Sequence, residues 1–162
     1  MMKEYRDNGA IGALLDEYER ALSELIQVIS DVSEEELTTI VDTKTKDPDC
    51  VSIQTILSHV VSSGYNYAIV IRKYLDEELE YSPKVKLISI GAYIEALNKM
   101  FAYNEQLFND YPNIKLEQFD TEKKILVRWG QLYDVEQLFE HAIVHILRHR
   151  RQIERFLLKL RT

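Results

Sequence analysis

The chain is poor in the residues that staple, break or kink a protein: one cysteine, three prolines and five glycines in 162 residues. The lone Cys50 excludes an intrachain disulfide and suits a reducing compartment. Scarce proline and glycine leave few helix breakers, so long helices are expected. No apolar run reaches the roughly 18 residues of a membrane span, so no membrane partner is expected. An excess of positive charge is also missing. Twenty basic against 27 acidic side chains leave a formal charge of -7. A nucleic-acid groove needs a positive surface, so no nucleic-acid partner is expected either. Basic clusters such as Arg148, Arg150 and Arg151 are local and can hold at most a small anion. Charged residues follow the first methionines, so no secretory leader is expected and a cytoplasmic location is.

What is present is an ordinary globular balance, 46% hydrophobic and 29% charged. The length fits a single domain over residues 1–162, with enough chain for a substantial core. Apolar residues recur in steps of three and four over 9–30, from Ile11 and Leu14 to Ile29, which predicts a first helix. Ser33 to Glu36 resembles a capping box for a short turn. Residues 38–51, with Asp47-Pro48-Asp49, read as a loop. A second helix is predicted over 52–75 and a third over 88–108, ended by Tyr111-Pro112. Residues 112–133 read as an irregular crossover. Ile125 to Trp129 could be extended, but a lone strand has no obvious partner there. Asp134 and Gln137 then form a capping box for a last helix running to about Leu160. Four long striped helices predict an all-α fold, a four-helix bundle with a long crossover before its last helix.

Three of the four histidines, His141, His145 and His149, lie four residues apart on that last helix. Steps of four turn about 40° at 3.6 residues per turn, so the three share one face. Leu138, Val144, Gln152, Ile153 and Phe156 lie near the same face, which points it toward the bundle. Buried imidazoles need partners for both nitrogens, and neutral imidazole is a good ligand for zinc or nickel. His145 with His149 is the best pair. His141, a turn further back, either supports the site from outside or replaces His149 as the partner of His145. His59, the remaining histidine, sits on an inward or boundary face of the second helix and can complete a three-nitrogen site. A single histidine on an apolar face is more often a hydrogen-bonded core residue. It is the set of four that points to a metal.

Three protein nitrogens leave an open position on a tetrahedral ion, where water or a substrate thiol can be activated. Glu140 points about 100° away from His141, and no general base or catalytic residue is assigned. Gln152 either hydrogen-bonds within the site or serves helix packing. The arginines suit a solvated face, with anion binding beside the metal as the other reading. Tyr65 and Tyr67 either line a cavity or pack the core.

At these residues the chain resembles the DinB/YfiT-like family of metal-dependent proteins. The segment HILRHRRQI, from His145 to Ile153, is similar to that family's HxxxHRGQI-type signature, and His59 in ILSHV resembles the histidine of its second helix. Arg151 stands where the signature usually has glycine, and His141 is additional. The residues themselves, not the resemblance, put His141 and Gln152 beside the site as supporting groups. The resemblance implies a divalent metal, zinc or nickel, on His59, His145 and His149. It also implies a homodimer acting on a small-molecule substrate, in some members as a transferase of a low-molecular-weight thiol. A metal-dependent hydrolase using activated water and a non-catalytic metal- or small-molecule-binding module are the alternatives.

Overall fold

Each of the long helices after the first begins where a side chain satisfies the N–H groups that a helix start leaves free. In the computed structural model, which describes residues 4–162, these starts are Ser52, Ser89 and Asp134. Ser52 and Thr55 form a capping box for α3 (Ile53–Tyr74), as do Asp134 and Gln137 for α5 (Val135–Leu160). Ser89 accepts from the Ala92 amide to open α4 (Ile90–Asp110). The first long helix, α1, spans Gly9–Ile29.

The expected four-helix bundle needs correction. The class is all-α, but the described residues form five α-helices and two lone 3-10 turns. The extra helix, α2 (Glu34–Thr38), grows from the Ser33 capping box, which was expected to start only a turn. Leu37, fully buried, anchors it to the core. The two 3-10 turns, Pro48–Cys50 and Thr121–Lys123, follow Asp47 and Asp120. Each aspartate side chain accepts the amide two residues on, which favours a tight turn. The irregular crossover is also corrected. Ile125–Leu126 (β1) pairs antiparallel with Leu132–Tyr133 (β2). The partner missing from the sequence reading lies across a short turn, where Gly130 takes a φ of +87° that other residues rarely adopt.

α1 packs on α5 and α4, and α3 packs on α4 and α5. Tyr18, Leu57, Tyr93, Met100 and Phe139 are buried between them. Each such side chain stabilises the fold by roughly 1.5–3 kcal/mol on burial. At Gly64 a Cβ would lie 2.3 Å from Met100 Sδ, so the missing side chain lets α3 and α4 approach. Asn104 Nδ2 fixes that approach by donating to the Gly64 carbonyl at 3.0 Å. None of the described helices is long and apolar enough to cross a membrane.

The segment between α3 and α4 is strapped along α3 by polar contacts. Ser62 Oγ and Asn66 Nδ2 donate to the Ser82 carbonyl, and Asn66 Oδ1 accepts from the Ser82 amide at 2.7 Å. Further on, the Leu87 amide donates to Tyr93 Oη, which also meets Ser58 Oγ at 2.6 Å. The strap sets Tyr81 and Lys84 beside the stretch of α3 that carries His59, Ser62 and Asn66. The β1–β2 hairpin lies against the same helix through buried Ile125 and Val127. The strap and the hairpin therefore wall the face on which α3 meets α5.

Candidate metal centre

Periodicity puts the histidines of α5 on one face, and packing against α3 brings His59 opposite them. His59, His145 and His149 each present a ring nitrogen, and these nitrogens lie within 4.8 Å of one another. Their ring centroids are 4.4–5.0 Å apart. His59 Nε2 and His145 Nε2 are 2.9 Å apart. Two imidazoles on one tetrahedral zinc, each at about 2.0–2.1 Å, bring their nitrogens to about 3.3 Å, so the spacing is of the right order.

The outer nitrogens are tied in ways that fix the rings. His149 Nδ1 donates to Gln152 Oε1 at 3.0 Å. His59 Nδ1 lies 3.2 Å from Asp49 Oδ2. An acceptor on Nδ1 puts the hydrogen there and turns the Nε2 lone pair of a neutral ring inward. Asp49 is held in turn by Lys84 Nζ, 2.8 Å from both carboxylate oxygens. The buried His149 Nε2 has no hydrogen-bond partner among the described residues. Leaving such an atom unpaired costs about 1–3 kcal/mol, and a cation between the three rings would relieve it. The donor set therefore fits a divalent ion, with zinc and nickel both suited to imidazole.

Burial favours the neutral rings that a metal requires. Desolvation lowers the pKa of His145 to about 2, helped by the neighbouring His149 and His59. It lowers His149 to about 4, against the raising effect of the Gln152 hydrogen bond. His59 is shifted down by burial too, partly offset by Asp49.

Of the residues singled out in the sequence, His59, His145, His149 and Gln152 are brought together, and His141 is not part of the cluster. The His141 ring lies parallel to His145 at 6.3 Å and stacks on Trp129 at 5.2 Å. Its Nδ1 is 3.3 Å from Tyr133 Oη. Tyr67 packs edge-on against both His141 and His145, whereas Tyr65 pairs with Tyr103. Arg150 pairs with Glu24 and Glu154. Val144, expected near the inward face, is exposed. Glu140 is exposed as well.

Sequence reasoning missed Asp49. Its only sequence signal was an aspartate-rich loop before the helix that carries His59, and no spacing rule connects the two. It also missed that the hairpin supplies a wall. His59, His141 and His145 open onto a cavity of about 580 Å³, which Tyr67, Trp129 and Arg148 also line. That is room for a small organic molecule beside the imidazoles. Comparison with protein-family models finds no match, and neither does comparison with curated proteins.

Proposed function

We propose that this chain is a divalent-metal-dependent enzyme that transfers a low-molecular-weight thiol to an electrophilic small molecule. The observation that carries the reading is the convergence of three imidazoles, two of which, His59 and His145, line a cavity, with the Nε2 of His149 buried and unpaired among the described residues. His59, His145 and His149 would hold the ion, and Asp49 and Gln152 would keep their rings turned inward. A bound divalent ion supplies Lewis acidity, which lets a thiol lose its proton near neutral pH. The thiol proton passes to solvent, the sulfur bonds to the acceptor carbon, and the leaving group departs with its electron pair. Tyr67 and Trp129 would shield one side of the reacting pair.

A specific contact favours a thiol over water as the nucleophile. Attack by water is helped by a free carboxylate base, and the carboxylate nearest the cluster, Asp49, is committed to His59 and Lys84. A thiol already ionised needs no such base. The hydrolase reading predicts turnover without added thiol, with solvent oxygen entering the product. The resemblance to the DinB/YfiT-like family supports the same reading and adds a homodimer, which sedimentation equilibrium would check.

Elemental analysis of untreated protein, paired with an anomalous difference map, should give one ion per chain among the three rings. Conjugation assays across a thiol panel should then show turnover that needs both thiol and metal. An ordered map with no ion after metal soaking would overturn the metal centre. Metal-loaded protein inert across the panel would overturn the transferase reading.

A further inference from the structure

The cavity beside the imidazoles is positive, although the chain as a whole is strongly negative. Lys84, Arg128 and Arg148 line it, with Asp49 as the only acidic lining residue. Lys84 and Asp49 neutralise each other. Arg128 and Arg148 make no ion pair among the described residues. Arg128 lies over the Tyr81 ring at 4.7 Å, which leaves its guanidinium edge free to donate. Arg148 is close enough to the cluster for its charge to lower the pKa of all four histidines. Two arginines without an ion-pair partner among the described residues, at the wall of one cavity, suit an oxyanion, because guanidinium can donate two parallel N–H bonds to a carboxylate or a phosphate.

The apolar part of the wall is aromatic. Trp129 and Tyr67 meet edge to face at 6.2 Å, and both also pack against His141 in the same cavity. We propose that the cavity selects a substrate with an anionic end, a carboxylate or a phosphate, carried on a flat or apolar body. Arg128 and Arg148 bind the anion, Trp129 and Tyr67 cover the body, and the opposite end reaches the histidines. Only the placing of the reactive end rests on the proposed metal chemistry. The anion site itself does not.

Trp129, the single tryptophan, makes the idea testable by intrinsic fluorescence. The full chain is titrated as purified, and again after metal stripping, with phenylacetate, benzylphosphonate and neutral benzyl alcohol. Both anions should bind at least tenfold more tightly than the alcohol, with and without metal. Arg128→Gln and Arg148→Gln should each weaken the anions about fivefold or more and leave the alcohol within about twofold. Arg151→Gln, which removes the same charge from the same helix outside this cavity, should change neither. Preference for only one anion identifies the headgroup as carboxylate or phosphate. Equal binding of all three probes, no binding of any, or equal losses in Arg148→Gln and Arg151→Gln would overturn the proposal. So would an anion preference that disappears on stripping, since the metal alone would then hold the anion. Failure of the metal reading is seen separately, as the absence of stoichiometric metal in the untreated protein.

Discussion

Acidifying the metal-free protein is expected to destabilise it steeply between neutral pH and pH 5. His145 and His149 are 5% and 4% exposed, and burial holds their folded pKa near 2 and near 4. An unfolded histidine titrates at about 6.5. As pH falls through that value, the unfolded chain takes up two protons that the folded chain refuses. The stability contribution is therefore intact above about 6.5 and is lost progressively below it. At pH 5 each ring costs about 2 kcal/mol relative to neutral pH, and the pair about 4 kcal/mol. A domain is held folded by only about 5–15 kcal/mol, so the effect is large. His59 shifts in the same direction and adds to it. Glu77 and Asp110, whose pKa values are lowered by hydrogen bonds from Tyr111 and Gln106 and by Arg72, act only at more acid pH. Urea unfolding of chelator-treated protein, followed by far-UV circular dichroism at several pH values, measures the change. The double variant His145→Leu, His149→Met should flatten the curve between neutral pH and pH 5. A wild-type change below about 1 kcal/mol over that interval would refute the reasoning, because it would mean that both rings accept protons in the folded state.

Three further outcomes are expected. His59→Ala, His145→Ala and His149→Ala should each sharply weaken metal uptake in a chelator competition, while His141→Ala should do less; equal retention by all four would contradict the ligand set. Asp49→Asn should lower metal affinity by about 10–100-fold with little change in far-UV signal, since it removes the charge that steadies His59. Leu37→Ala should destabilise the fold by about 2–5 kcal/mol in urea unfolding, because the short α2 is anchored to the core by that side chain. A cost below about 1 kcal/mol there would mean that α2 rests on its capping box alone.

The long helices were legible because their signal is periodic. Leu14, Leu22, Leu25 and Ile29 repeat along α1 at helical spacing, and all four are buried. The start of α5 was legible because Asp134 and Gln137 stand three apart before an apolar stripe. The histidines share a face by arithmetic alone, and His59 was findable as the only other imidazole in the chain. The rest depended on docking. β1 and β2 have two residues each, too few to show an alternation, and their pairing turns on a loop around Gly130. α2 has five residues, and its burial rests on Leu37. Asp49 reaches His59 only because the Pro48–Cys50 turn folds back over α3, which no local pattern encodes.

The imidazoles and the selecting wall belong to different parts of the chain. His59, His145 and His149 are set into α3 and α5, two long helices that pack on each other and on the rest of the bundle. Arg128 and Trp129 instead sit in the few residues that join β1 to β2, and both are exposed. Rewriting that short connection would change part of the cavity wall while leaving the histidine cluster as it is. A library randomised at the hairpin tip is therefore the natural place to vary that wall without touching the cluster.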